Sequence, residues 1–253
     1  MKNRRSGKQM GFSLVEVAVA LVILGVIFGA TVQVYHSVNE SKLRSQTQTE
    51  MEKVAKALVG FAEQYYRLPC PDTTQDGVEN CGGTAVTGTV PFHTLGLFTS
   101  SQASDVIKGH QNILYGVYRG TGEDLTELTE ETGDAPGDQN YQTLGDLKQK
   151  LMDYLGSSGP GLVSSQPYVT GDQRNTGDED CSGNRVANGA FILAGAVTDA
   201  NGDGNDFDGV NEGVTPDGGG SVCFASPTRQ SDADYNDLVR LMSFSELLGQ
   251  LSN

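Results

Sequence analysis

Tryptophan is absent, no two cysteines stand as C-x-x-C, and basic residues are scarce; each shortage removes a class of function. The histidines, His36, His93 and His110, are scattered, so the ligand spacing of a structural zinc site is missing. No G-x-S-x-G, H-E-x-x-H or Walker A run occurs, and "GTGEDL" from Gly120 lacks the third glycine of a dinucleotide fingerprint. The sequence therefore predicts no enzyme, and its acidic residues read as solvated loop charge rather than an acid/base pair. There are 17 basic against 32 acidic residues. Four of the basic ones, Lys2, Arg4, Arg5 and Lys8, precede Gly11, and the other 13 leave the remainder at a net charge of −19. Such a surface repels phosphates and anionic lipid heads, which excludes nucleic acid as an expected partner and suits a cation or a basic protein.

Charged residues make up only 19% of the 253 residues while glycine supplies 33, the balance of a loop-rich domain outside the cytoplasm. Four cysteines, Cys70, Cys81, Cys181 and Cys223, fit disulfides in that setting. Three pairings exist; Cys70 with Cys81 and Cys181 with Cys223 is favoured, because each bond then staples one Gly/Asp-rich loop region.

One long hydrophobic run is present, "GFSLVEVAVALVILGVIFGATVQV" from Gly11. From Val17 to Val32 it carries no charge, and continuing to Val38 it approaches the ~20 residues that cross a bilayer. The basic leader is expected to stay cytoplasmic, leaving the bulk of the chain outside. Glu16 lies inside this run, where a lone carboxylate costs ~2.5 kcal/mol or more. A secretory signal peptide would be cut behind small residues after the apolar core, but "GATVQVYHS" is a poor site and the small residue, Gly11, stands before the run.

The stretch "GFSLVEVAVALVILGVI" resembles the N-terminal signature of type IV pilins and of the pseudopilins of type II secretion systems, a prepilin-type cleavage and methylation motif. The resemblance implies that a prepilin peptidase cuts after Gly11, that the new terminal residue Phe12 is N-methylated, and that Glu16 is the fifth residue of the mature chain. It also implies a partner for the buried charge: Glu16 of an incoming subunit meets the α-amine of a neighbour inside the same low-dielectric region. Other pilin or pseudopilin subunits, an inner-membrane assembly platform and the inner membrane follow as partners, with the head in the periplasm or carried on a pilus or pseudopilus. Gly25 and Gly29 form a G-x-x-x-G pair suited to close helix packing. Many pilins carry a proline near position 33; this chain has Gln33 and none before Pro69.

Beyond the run, Leu43, Met51, Val54, Ala55, Leu58, Ala62 and Tyr65 mostly recur every three or four residues, predicting that one helix continues to about Tyr66 until Pro69 and Pro71 stop it. The expected organisation is a leader over 1–11, a transmembrane half-helix over 12–38, an amphipathic half over 39–66 and a globular head over 67–253. The fold class is α+β, a long N-terminal helix packed on a small antiparallel sheet with loops. In the head, "NILYGVYRG" reads as an alternating strand and "GAFILAGAV" as a strand buried on both faces. A helix is predicted where Leu144, Leu147, Leu151 and Leu155 share a face, with Gly156 ending it. A strand over Leu238–Met242 and a helix opening at Ser243, capped with Glu246, close the chain.

The loop "DANGDGNDFDG" repeats oxygen-bearing residues at alternate positions: Asp199, Asn201 and Asp203, with Gly204 at the turn and Asp208 beyond. This matches the first half of an EF-hand, making calcium the one candidate cofactor; Val210 stands where the bidentate Glu belongs, and Asp208 or Glu212 would substitute. Asp72, Asp76 and Glu79 form a fainter candidate, as do Asp232, Asp234 and Asp237; in one variant Asp232 or Asp234 completes the 199–208 site across space. Two functions of different class fit: a minor pilin or pseudopilin assembled through its N-terminal helix, or an anchored or filament-tip head that binds a surface or an exported substrate.

Overall fold

The computed structural model describes residues 14–97, 113–120, 123–128, 143–156, 162–172 and 180–252, without the side chains of 26–38. The chain falls into two compact units, residues 1–42 and Leu43–Asn253. Helix α1, Leu14–Tyr65, runs through the boundary. In the first unit the described side chains Leu14, Val15, Val17, Leu21 and Val22 are exposed. Among the described residues no helix is long and apolar enough to cross a membrane; the predicted span 12–38 lies partly outside them.

In the second unit α1 buries Met51, Val54, Ala55, Leu58 and Ala62 of the stripe predicted by spacing, whereas Leu43 is half-buried and Tyr65, in the last turn, is exposed. Its end is set by Tyr66, which takes a left-handed φ of 58° while its N–H donates to the Ala62 carbonyl at 2.9 Å. Pro69 and Pro71 then preclude further helix.

The main sheet has the order β1 (Thr87–Thr89), β2 (Ile113–Val117), β7 (Phe191–Gly195), β9 (Leu238–Met242), all antiparallel. Strand β7 is buried at every residue because both of its faces are covered. Phe191 and Leu193 face α1 together with Ile113, Tyr115 and Val117, whereas Ile192 and Ala194 join Leu114 on the opposite face. β2 is likewise buried throughout; the predicted alternation selects between two cores rather than between core and water.

The second face is covered by a smaller sheet, β6 (Arg185–Asn188), β5 (Tyr168–Thr170), β8 (Cys223–Phe224), in which β5 and β8 run parallel. Val169 and Phe224 from it pack with Phe207 and Val214 on the main sheet. A two-residue ladder joins β3 (Arg119–Gly120) and β4 (Glu123–Asp124), closed by an Arg119–Asp124 ion pair at 3.1 Å.

Helix α2, Leu144–Gly156, buries Leu147 and Leu151 as expected. Leu155 departs from the prediction and is 45% exposed, since the last turn runs past the core it shares with α3. Helix α3, Phe244–Gln250, starts at Ser243, whose side-chain oxygen accepts the Glu246 N–H at 3.1 Å.

Candidate functional site

The N-terminal candidates come first. Gly11 and Phe12 lie outside the described residues. Glu16 is exposed in the first turn of α1, between the exposed Val15 and Val17. A carboxylate there is favoured by the positive end of the helix dipole, yet its neighbours are apolar and need covering by lipid or by other helices. Among the described residues nothing lies within 4 Å of a Cβ placed on Gly25; Gly29 belongs to the residues whose side-chain surroundings are not described.

Both favoured disulfides are formed, Cys70–Cys81 with Cα atoms 5.3 Å apart and Cys181–Cys223 at 6.0 Å. The first closes a loop whose acidic residues are fully engaged. Asp72 is buried and accepts from the backbone N–H groups of Thr74, Gln75 and Gly77 and from the Thr74 hydroxyl. Asp76 accepts the Val78 N–H. Glu79 holds Arg67 through two bonds of 2.7 Å and also accepts the Cys70 N–H. Burial pushes the Glu79 carboxyl up, but Arg67 and the Cys70 N–H outweigh it and the group sits below its ordinary value. Among the described residues the one group of three metal-ligand atoms within 4.8 Å is Cys70, Glu79 and Cys81, and its two sulfurs are bonded to each other.

The 199–208 loop takes the turn predicted for it, with Gly202 and Gly204 at φ of 74° and 96°. Asp199 receives N–H groups from Gly202, Asp203 and Gly204, and Asp203 receives one from Asn205. Asn201 sits against Asp203, its Nδ2 donating at 2.9 Å. Asp199, Asp203 and Asp208 do not converge as a three-carboxylate group. Beside the loop lies an open cleft of about 730 Å³ walled by Asp203, Asp206, Glu212, Phe207 and Val214.

Asp208 turns inward instead. It is fully buried, and its two oxygens accept the N–H groups of Ala200 at 3.1 Å and Asn236 at 3.0 Å. The acid that meets it from the later segment is Asp237, not Asp232 or Asp234. Asp237 Oδ2 accepts the Asp208 N–H at 2.9 Å and the Asn211 side chain at 3.0 Å, while its Oδ1 is buried with no hydrogen-bond partner. Burial pushes the Asp237 carboxyl up to about 7 and raises Asp208 as well. Asp232 lies 3.8 Å from Arg229 and accepts the Asp234 N–H. Sequence spacing marked Asp237 as acidic but carried no signal that it would meet Asp208, because the contact is made across 29 residues.

No curated protein and no solved structure matches the chain. Residues 7–32 match the prokaryotic N-terminal methylation motif. That motif implies processing by a prepilin peptidase and assembly with other pilin subunits. The chain thus carries at its N-terminus the motif characteristic of type IV pilins and pseudopilins.

Proposed function

We propose that this protein is a minor pilin or pseudopilin, anchored in the inner membrane by residues 12–38 with its head in the periplasm, and assembled through its N-terminal helix into a type IV pilus or a type II secretion pseudopilus. The observation that carries this reading is the methylation motif over residues 7–32. It is supported by Glu16 standing exposed among apolar side chains, which leaves its charge to be matched by another molecule. Cleavage after Gly11 supplies the match, the N-methylated amine of Phe12 on a neighbouring subunit.

Mass spectrometry of the chain extracted from membranes is the first test: a start at methylated Phe12 is expected, and a start beyond residue 29 would remove the basis for assembly. Glu16→Ala is then expected to insert and be cleaved as the wild type is, yet to fall at least tenfold in sheared filaments; normal incorporation would refute the charge-pairing role. The second reading, a head that binds, is favoured by the acidic cleft beside Phe207, which suits a cationic group. A head displayed at a filament tip would appear in trace copy number and would retain a basic ligand when that cleft is intact.

A further inference from the structure

Two Asn-Gly pairs occur in the sequence, Asn188–Gly189 and Asn201–Gly202, and the fold gives them opposite surroundings. A glycine after asparagine has no side chain to shield its backbone nitrogen from the neighbouring carboxamide. Asn188, at the end of β6, is buried. Its Nδ2 donates to the carbonyls of Val163, Gln166 and Pro167, and its Oδ1 accepts the Val163 N–H at 2.8 Å. A Cβ at Gly189 would stand 2.5 Å from Leu241 Cδ1, so the backbone that follows is closely packed as well. Turning this carboxamide toward the Gly189 nitrogen would strand several buried donors and acceptors at once.

Asn201 and Gly202 stand exposed in the 199–208 loop. Gly202 takes a φ of 74°, and among the described residues nothing lies within 4 Å of a Cβ placed on it, so its backbone can turn without collision. The Asn201 Nδ2 donates to Asp203 Oδ2 at 2.9 Å, and its Oδ1 accepts the Asp203 N–H at 3.0 Å. That N–H lies on the oxygen where negative charge develops when a nucleophile adds to the carboxamide carbon. One bond opposes the addition: the Gly202 N–H donates to Asp199 Oδ1 at 2.6 Å. It lies at the surface, where water replaces it on opening, so it restrains Asn201 far less than burial restrains Asn188.

We propose that Asn201 is a self-modifying site of the folded head, at which the Gly202 nitrogen displaces ammonia from the carboxamide and water then opens the ring to aspartate or isoaspartate. The Gly202 nitrogen gives its proton to solvent base as its bond to Asn201 Cγ forms. The tetrahedral carbon then expels the carboxamide nitrogen, which takes up a proton and leaves as ammonia, and a cyclic imide remains. Water adds to one imide carbonyl and breaks that carbon's bond to nitrogen, giving aspartate from Cγ and isoaspartate from the main-chain carbonyl. One water is consumed, one ammonia is released, and nothing is oxidised or reduced. Either product adds a negative charge to the loop that supplies Asp203 and Asp206 to the acidic cleft, which strengthens the field on a cationic group there. The inference is independent of filament assembly, and its failure would leave that reading untouched.

The test ages the full chain in detergent with a metal chelator, in heavy-oxygen water at mildly alkaline pH, and maps the label on proteolytic peptides by mass spectrometry. Label is expected at Asn201, as both aspartate and isoaspartate, at least tenfold faster than at Asn188. In the reduced and denatured chain the two rates should come within about threefold of each other, because only the fold separates them. Isoelectric focusing of the aged native chain should show an acidic variant that is missing from Asn201→Gln. Label at Asn188 as fast as at Asn201 in the native chain, or native protection of both sites, would overturn the proposal. So would a tenfold gap that persists after unfolding, since sequence alone would then set it, or an acidic variant that forms undiminished in Asn201→Gln.

Discussion

Arg67 and Glu79 show how little of a site's polar wiring is visible in residue identity. Two charged residues twelve positions apart become a bidentate pair because the helix ends at Tyr66 and the Cys70–Cys81 bond folds the following loop back. Glu79→Gln is expected to cost about 1–2 kcal/mol at neutral pH, since it weakens the Arg67 contact and gives the Cys70 N–H a neutral amide oxygen to donate to in place of a carboxylate. The wild-type carboxyl is depressed in the folded state, so its contribution is present above the open-chain value and disappears as pH falls through the folded one. Thermal melts of both forms should therefore converge in acid; a difference that persists unchanged at about pH 2 would refute the ion pair as its source. Asp72 is the more demanding position, because removing its carboxyl strands three buried or half-buried amides at once. The sequence marked both residues only as members of an acidic loop and gave cation binding as their candidate role. The bonds that occupy Asp72 come mainly from backbone N–H groups and those on Glu79 from Arg67 and the Cys70 N–H, contacts that no sequence pattern displays.

At the scale of elements, the legible parts were those whose periodicity is long or whose boundary has a chemical marker. Helix α1 was readable from its spacing and its terminal prolines, β7 from its continuous apolar run, and α3 from the Ser243–Glu246 cap. The β6–β5–β8 sheet was not, because strands of two to four residues carry no period and the parallel pairing of β5 with β8 is decided by distant packing. One close approach was equally hidden. A Cβ at Gly195 would stand 2.7 Å from Thr47 Cγ2 and 2.8 Å from Met51 Sδ, so the glycine lets α1 seat directly on the end of β7. Gly195→Val is expected to destabilise the head by about 1–3 kcal/mol by prising the helix from the sheet. Met51→Ala in the same chain should recover part of that loss, whereas additive costs in the double variant would mean that the two positions do not press on each other.

For the molecule as a whole, the two disulfides divide the labour unequally. Cys70–Cys81 closes a separation of 11 residues, around a loop already held by Asp72 and Glu79. Cys181–Cys223 closes 42 residues and joins the segment before β6 to β8, the two outer strands of the sheet that covers one side of the core. Restricting the unfolded chain stabilises by about 3 kcal/mol for the shorter loop and about 4 kcal/mol for the longer. The local hydrogen bonds remain when the first bond is removed; when the second is removed the small sheet keeps its ladder pairing, the Asn188 and Tyr168 side-chain bonds and the packing of Val169 and Phe224, but loses the larger restriction on the unfolded chain. Replacing Cys181 and Cys223 together with serine should therefore lower the melting temperature more than replacing Cys70 and Cys81. It should also raise hydrogen exchange selectively across β5, β6 and β8, leaving β2 and β7 protected by the α1 face of the core. Equal losses for the two pairs, or a uniform loss of protection across both sheets, would show instead that the head unfolds as one cooperative unit in which the small sheet has no separate stability.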